Sequence, residues 1–229
     1  PSISALRDLA LTEDAAATVV EFTIDDGDTD ADALIVSVTS SNPALFPDSA
    51  LVLGGDGHER ALALTPLPNA SGRATLTVAV DDGTDRASTT FVVTVSAVND
   101  PPTLTLPTAF TVTEDLSHVV PTIAVADPDA AESDLVVTLS ATSGRLALAA
   151  GTRARYIAGA SGATRIVVTG TRAVLHDALA HLSYLPANNY VGPDAIAVSV
   201  DDRGNNGSGG PLVVSRVVKC GGGQTGQGA

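Results

Sequence analysis

Apolar and polar residues alternate over short segments along the chain, which is the pattern of half-buried β-strands. The clearest segments are residues 34–39, 74–80 and 91–95, and comparable ones follow at 135–139 and 195–200. Glycine-rich turns separate these segments, as expected where a chain reverses direction. Many short strands at this spacing predict an all-β fold that is built as Greek-key β-sandwiches.

The sequence also contains an internal repeat. The run Thr-Glu-Asp at 12–14 recurs at 113–115, and the later part of each copy aligns at a larger offset. The matched residues of the later part are Pro66, Asn69 and Gly72 in the first copy and Pro186, Asn189 and Gly192 in the second. The difference between the offsets of 101 and 120 places a 19-residue insertion in the second copy. We therefore predict two tandem sandwiches of one type.

A stiff connector, Val98-Asn99-Asp100-Pro101-Pro102, separates the two copies, because paired prolines do not fit inside a central strand. We expect the first domain at residues 1–100 and the second at 101–219. Residues 220–229 are rich in glycine and predict a flexible tail. Cys220 is the one cysteine of the chain, so no intramolecular disulfide can form, and its role is left open.

The insertion, near residues 145–182, holds the one helical pattern of the chain. Leu175, Leu179 and Leu182 fall on one helical face, and Thr171 is a suitable N-cap. We expect a short helix of about two turns that packs over one end of the second domain.

Charge narrows the range of partners. The chain has 26 acidic and 12 basic residues and a net charge of -14, so it lacks the basic surface of a nucleic-acid-binding protein. Residues 1–100 carry 16 of the acidic and 4 of the basic residues. No segment approaches the length of about 20 apolar residues that a membrane helix needs. We expect neither nucleic-acid binding nor membrane insertion.

The acidic residues fall at strand ends, so the direction of the strands decides which of them meet. If the first strand of each domain runs downward, Glu13 and Glu114 lie at the bottom and the following strands climb to the top. The top of the first domain then carries Asp26, Asp28, Asp30, Asp81 and Asp82. The junction gathers Glu13, Asp14, Asn99 and Asp100 from the first domain and Asp127, Asp129, Asp201 and Asp202 from the second. Glu114 and Asp115 lie at the bottom of the second domain.

Clustered carboxylates repel one another unless a cation neutralises them. Calcium takes about six to eight oxygen ligands in flexible geometry, which these side chains supply, whereas magnesium needs a tighter octahedron. Zinc would require His or Cys ligands, which the junction lacks. The alternative is that each Asp only stabilises a turn. The recurrence of the pattern in both copies favours calcium (Ca2+) as the bound ion.

At these residues the chain resembles the cadherin-like tandem repeats of large bacterial surface adhesins. The resemblance is carried by the Glu that ends the first strand, the Asp-x-Asp pairs at 26/28 and 127/129, and the Asn-Asp-Pro-Pro connector. Residues 182–194 are also similar to the chondroitin-sulfate-proteoglycan type of such repeats. The resemblance covers nearly the whole chain, although the second domain ends without another Asn-Asp-Pro connector. It implies cadherin- or immunoglobulin-like sandwiches, calcium at domain junctions, and a spacer or adhesive role.

Together these observations favour a calcium-rigidified, extracellular or cell-surface structural or adhesive module of a bacterial protein. We expect no enzymatic activity, since no catalytic motif is visible. The expected partners are calcium ions, neighbouring repeats or copies of the chain end to end, and a cell-surface glycan or protein. Two alternatives stay open: a subunit of a head-to-tail extracellular filament, and a carbohydrate-binding accessory domain of a secreted enzyme. Three Tyr and four Phe offer little stacking surface for the latter.

Overall fold

The computed structural model describes residues 1–130, 132–190 and 192–222. The chain divides into two compact units, Pro1–Val98 and Asn99–Ala229, which we call the first and second units. Both units are built almost entirely from β-strands, with one short α-helix in the second. The predicted fold class, tandem all-β sandwiches with a short helix in the second, is confirmed.

The first unit consists of eight strands in two four-stranded sheets. The strands are β1 Ser2–Ile3, β2 Leu9–Thr12, β3 Thr18–Asp25, β4 Ile35–Ser40, β5 Leu51–Asp56, β6 Glu59–Leu64, β7 Gly72–Asp81 and β8 Arg86–Ser96. One sheet has the order β1-β3-β6-β5 and the other the order β2-β8-β7-β4. β2 runs parallel to β8, and the remaining pairs are antiparallel.

Alternation along the strands produces the core of the first unit. In β7, Ala74, Leu76, Val78 and Val80 are buried, because every second side chain of a strand points to the same face. Side chains from the other sheet, such as Leu62, join them in one apolar cluster. The acidic residues that follow β3 and β7 therefore lie just beyond strands that the core holds in place.

The second unit contains eleven strands and one helix in its described residues. They are β9 Thr103–Thr105, β10 Ala109–Val112, β11 His118–Val119, β12 Ala124–Ala126, β13 Leu135–Ala141, β14 Arg145–Ala147, β15 Arg155–Ala158, β16 Arg165–Gly170, α1 Arg172–Ala180, β17 Ser183–Leu185, β18 Pro193–Asp201 and β19 Val213–Gly222. The largest sheet has the order β10-β19-β18-β13-β16-β15. Two smaller sheets have the orders β11-β17-β14 and β12-β9.

The insertion adds β15, β16 and α1 between β14 and β17. In the first unit the hairpin partners β5 and β6 are joined by two residues, whereas β14 and β17 pair across this long excursion. β16 pairs with β13, so the strand that matches β4 in the repeat has neighbours on both sides. The insertion therefore widens the sheet on one edge.

The helix forms where the leucine pattern predicted it. Leu175, Leu179 and Leu182 are all completely buried in the core of the second unit. Thr171 occupies the N-cap position, but its side chain makes no capping hydrogen bond. Burial of the leucine face, and not a capping bond, therefore holds the helix. No helix in the described part of the chain is long and apolar enough to span a membrane.

The last strand runs further than the sequence predicted. β19 continues through Gly222, so Cys220, which we had assigned to the tail, lies inside a strand and is 2% exposed. Residues 212–222 carry enough apolar side chains for a strand, but the glycines that follow Cys220 suggested an earlier end. The rest of the predicted Gly-rich tail, 223–229, lies outside the described residues.

Candidate metal centres

The first unit brings three carboxylates together beyond the ends of two strands. Asp26 follows β3, Asp28 lies two residues further on, and Asp82 follows β7. One oxygen of each lies within 4.8 Å of the others, and no other three Asp, Glu, His or Cys side chains in the described residues do so. We call Asp26, Asp28 and Asp82 the first acidic set.

Tight turns hold these carboxylates. Asp26 Oδ1 accepts hydrogen bonds from the backbone N–H groups of Asp28 and Thr29, at 3.0 and 3.1 Å. Asp82 Oδ1 accepts from the N–H groups of Thr84 and Asp85, both at 2.7 Å. The Oδ1 atoms of Asp26 and Asp82 are therefore used by their own turns.

The nitrogen of Pro1 lies beside the first acidic set. The amine of Pro1 is 2.7 Å from Asp26 Oδ2 and 4.0 Å from Asp82 Oδ2. The hydrogen bond from this amine holds the pKa of Asp26 well below its usual range. The pKa of Asp28 is raised, because it shares a hydrogen bond with the neighbouring Asp26 carboxyl. The three carboxylates therefore form one group of interacting side chains that could hold a metal ion.

Three further acidic residues of the predicted sites also make local turns. Asp30, Asp81 and Asp201 each accept a hydrogen bond at Oδ1 from the backbone N–H two residues later, at 3.1, 2.8 and 2.8 Å. This is the Asx-turn that short acidic side chains commonly make. The same bond is made by four members of the two acidic sets, Asp26, Asp82, Asp127 and Asp202, so the participation of Asp30, Asp81 and Asp201 in a metal site stays a prediction.

The second unit assembles a larger group of oxygen atoms around its first residues. We call Asn99, Asp100, Asp127, Asp129 and Asp202 the second acidic set. Asn99 Nδ2 donates to Asp202 Oδ2 at 2.7 Å, and the Asp100 N–H donates to Asp129 Oδ2 at 2.6 Å. The Asn99 N–H also donates to the Ser208 carbonyl at 2.8 Å. These bonds fasten the two connector residues to the strand ends that carry the acids.

Two oxygen atoms of the second acidic set are buried without a hydrogen-bond donor among the described residues: Asn99 Oδ1 and Asp127 Oδ2. Asn99 is 5% exposed and Asp127 is 8% exposed. Reversing the Asn99 amide would turn its oxygen toward the Asp202 carboxylate and the Gly210 carbonyl, which now accept from its Nδ2. A flip of the amide therefore cannot relieve Asn99 Oδ1, and leaving these two buried oxygens without donors is costly.

Negative charge accumulates in the same place. Burial raises the pKa of Asp127, and the carboxylates of Asp202 and Asp129 raise it further, despite two backbone hydrogen bonds to Asp127 Oδ1. Asp202 is completely buried. None of these three carboxylates has an ion-pair partner within 4.0 Å in the described part of the chain. The second set is more spread out than the first, since no three of its carboxylates have oxygen atoms within 4.8 Å of one another.

The recurring Asp of the Thr-Glu-Asp run has a structural partner in each unit. Asp14 Oδ1 accepts from the Asn69 N–H at 3.1 Å, and Asp115 Oδ1 accepts from the Asn189 N–H at 3.0 Å. All four residues have positive φ angles, between 54° and 60°. These two equivalent bonds explain why both the Asp and the Asn recur in the two copies of the repeat.

The two predicted glutamates are placed differently. Glu13 is 4% exposed, and its Oε1 accepts from the Val98 N–H at 2.6 Å, so it is tied to the end of the first unit. Glu114 is half-buried, and its side chain has no hydrogen-bond partner among the described residues. The prediction that Glu13 and Asp14 complete a junction site stays a prediction.

Sequence reasoning missed one buried polar group. Asp194 is 7% exposed and accepts from the Tyr184 hydroxyl and from the N–H groups of Ser143, Gly144 and Ala195. Burial alone would raise the pKa of Asp194, but these hydrogen bonds lower it below its usual value. The signal was present, because Asp194 occupies an inward position of the alternating strand β18.

Comparison with known protein families finds no match, and neither does comparison with curated proteins. Solved structures do match. The human mucin-like protocadherin EC1-2 structure is 15% identical, covers 97% of this chain and 98% of its own, and gives a TM-score of 0.44. The human protocadherin-24 EC1-2 structure is 16% identical, covers 95% of this chain and 94% of its own, and gives a TM-score of 0.41.

An immunoglobulin-type tandem is matched as well. A chimeric titin Z1Z2-Z1Z2 tandem is 13% identical, covers 96% of this chain and 97% of its own, and gives a TM-score of 0.33. The chain is thus similar to tandem cadherin ectodomain repeats at low sequence identity. TM-scores of this size carry no argument about function, and the functional case depends on the acidic sets.

Proposed function

We propose that this chain is a non-catalytic, calcium-binding structural or adhesive module that works outside the cell. Each acidic set is the binding place for a divalent cation. The second set is the principal one, because its oxygens are the more deeply buried.

The observation that carries this proposal is the pair of unpaired oxygens in the second acidic set. Buried, like-charged carboxylates raise one another's pKa and cost folding free energy. A bound cation would take Asn99 Oδ1 and Asp127 Oδ2 as ligands, and its charge would offset both the burial of Asp127 and the repulsion from Asp202 and Asp129, which together raise the pKa of Asp127. A bound cation would offset the folding free energy that is lost when these charged and unpaired oxygens are buried.

The chemistry of the donors supports calcium. The described set offers carboxylate and amide oxygens, which are the ligands that calcium takes, and no thiolate or imidazole. The ligands come from three separate segments, the connector and the turns that follow β12 and β18, and calcium tolerates such variable geometry better than magnesium, which needs a strict octahedron.

Binding at the second set would also stiffen the connector. Asn99 and Asp100 follow directly on Val98, the last residue of the first unit. A cation that holds these two residues would leave fewer rotatable bonds free between the units. This supports calcium-dependent rigidity as the mechanical role.

Thermal melting of the whole chain tests the proposal. Calcium at about one hundred times its Kd should stabilise the folded chain by about 2.7 kcal/mol. For a unit of the size of the second, Asn99–Ala229, each kcal/mol raises the melting temperature by about 4 °C. We expect the melting temperature to rise by about 10 °C with calcium, to fall with chelator, and to rise less with magnesium. A melting temperature that ignores both calcium and chelator would contradict the proposal.

The finer parts of the functional hypothesis stay predictions. These are the bacterial surface context, the participation of Glu13 and Asp14 in a junction site, and the carbohydrate-binding and head-to-tail filament alternatives. Electron microscopy of the purified chain in calcium tests filament formation, and binding to a glycan array tests carbohydrate recognition.

A further inference from the structure

β4 is an open edge of the first unit. It pairs with β7 over six residues without a register shift, from Ile35↔Asp81 to Ser40↔Leu76, and no described strand lies on its other side. Its sequence, Ile-Val-Ser-Val-Thr-Ser, contains no charge, proline or glycine. Edge strands of natural proteins are commonly protected from pairing by such residues or by bulges. β4 has none of these protections.

In the second unit, another strand pairs with the edge that corresponds to β4. β13 matches β4 in the repeat, and β16 pairs with it antiparallel over six residues. Ile35 in β4 is 67% exposed, whereas its repeat counterpart Val136 is half-buried opposite Thr169 of β16. The fold therefore accepts one more antiparallel strand at this edge, and the first unit lacks one.

We infer that β4 is a docking edge for the β4 strand of a second copy of this chain, paired antiparallel about a two-fold axis. The Ser41 N–H donates to the Thr75 carbonyl at 3.0 Å, which fixes the alternation of hydrogen bonds along β4. By that alternation, the backbone groups of Val36, Val38 and Ser40 point away from β7. This outward row would bond to the same row of the partner.

Charge selects the antiparallel arrangement. The acidic loop of residues 25–32 precedes β4, whereas the other end of β4 lies near Arg73, whose carbonyl accepts from Asn42 Nδ2. Antiparallel pairing places the acidic end of each copy beside the Arg73 end of the other. The two acidic loops are then about 20 Å apart, the length of a six-residue strand, which exceeds the screening length of about 8–10 Å at physiological salt. Parallel pairing would bring the two loops together.

The other long edges of the described chain are less suited. β15 carries Arg155 and a register shift between Tyr156 and Ala158, both of which oppose pairing. β5 includes Gly54 and Gly55 and ends in an acid. A two-fold contact through β4 also closes on itself, so it produces a dimer and no fibre. It is independent of calcium binding and different from end-to-end assembly.

Sedimentation equilibrium of the full chain tests the inference. One six-residue edge is small beside the about 1,200–2,000 Å2 of a stable interface, so we expect a weak dimer. It should appear as concentration rises from micromolar to millimolar, with calcium or with chelator. Thr39→Lys places a charge on the exposed side of the edge and should weaken the dimer about tenfold or more. Thr75→Lys places the same charge on the neighbouring interior strand and should leave the dimer unchanged.

Each outcome is decisive. A dimer that Thr39→Lys weakens and Thr75→Lys preserves supports the inference. A chain that stays monomeric at millimolar concentration overturns it. A dimer that Thr39→Lys leaves intact, or assemblies larger than a dimer that vanish with chelator, would also overturn it and would assign association to another surface.

Discussion

The two acidic sets occupy matched positions of one repeat but differ in their surroundings. In the first set, Asp26 and Asp82 are half-buried and Asp28 is exposed. The second is buried, includes the connector residues Asn99 and Asp100, and leaves oxygens unpaired. The same aspartates therefore have different energetic consequences. A set with one exposed carboxylate keeps part of its hydration without a metal, whereas the more deeply buried set carries a larger desolvation cost unless a cation joins it.

The units differ in a second respect, at the edge of one sheet. In the first unit β4 is bare, and in the second β13 is covered by the inserted strand β16. The insertion also supplies α1 and enlarges the core, so it is an integral part of the second unit. The repeat thus provides internal controls, because each feature of one unit can be compared with its counterpart in the other.

The largest effect is expected from the helix of the insertion. Leu179 is completely buried, so Leu179→Ala should destabilise the second unit by about 2–5 kcal/mol through loss of burial and the cavity left behind. His176→Ala on the exposed side of the same helix should change stability by less than about 0.5 kcal/mol. Chemical unfolding monitored by circular dichroism measures both. Equal effects would show that the helix is not part of the core.

A smaller effect is expected from the buried Tyr184–Asp194 pair, which the first unit does not have at the matched position. Tyr184→Phe removes one donor to Asp194 and should cost about 1–3 kcal/mol. Tyr190→Phe, which loses a bond to the Pro193 carbonyl at an exposed site, should cost less. Thermal melting of the two variants distinguishes them, and a larger loss for Tyr190→Phe would contradict the assignment.

The pair also predicts a dependence on pH. The pKa of Asp194 is lowered, so its stabilisation is present above the usual value of about 3.9 and is lost as pH falls through the lower folded value. The pKa of Tyr184 is raised, chiefly by burial and then by Asp194, so its contribution is present below about 10 and declines as pH rises further. Above pH 10, the melting temperature of Tyr184→Phe should therefore fall less steeply with rising pH than that of the unmodified chain. An unchanged slope there would argue against the buried hydroxyl.

The smallest effect concerns the thiol. Burial raises the pKa of Cys220 to about 11, and the Asp194 carboxylate adds to the shift. A thiol reagent should therefore react slowly with the folded chain at pH 8 and rapidly after denaturation, since the thiolate is the reactive form. Rapid modification of the folded chain at pH 8 would show that the end of β19 opens readily.

The fold could be predicted from the sequence because its strongest signals are local. Alternation identifies β7, β8 and β18, and the leucines at 175, 179 and 182 identify α1. The offset between the two halves of the repeat also located the insertion. Its two strands could not be placed, because β16 pairs with the distant β13 and β15 then adds to β16, and no local pattern encodes such long-range pairing.

The candidate site was predictable in composition but not in arrangement. Asp-x-Asp recurrences located both acidic sets, yet of the neighbouring pairs at 81/82 and 201/202 only Asp82 and Asp202 lie among the clustered oxygens. That distinction depends on the face of the strand end at which each side chain emerges. The contacts of Asn99 required the folded second unit, because its partners lie more than one hundred residues later.

The central claim is that the second acidic set is the principal calcium site, and calorimetric titration of matched variants tests it most directly. Calcium should be titrated into the unmodified chain and into two variants of it, Asp82→Asn and Asp202→Asn. The two variants carry the same change at equivalent positions of the repeat. We expect Asp202→Asn to abolish the tightest binding event and Asp82→Asn to leave that event within about twofold of its original affinity. Retention of the tightest event in Asp202→Asn, or its loss in Asp82→Asn alone, would contradict the account.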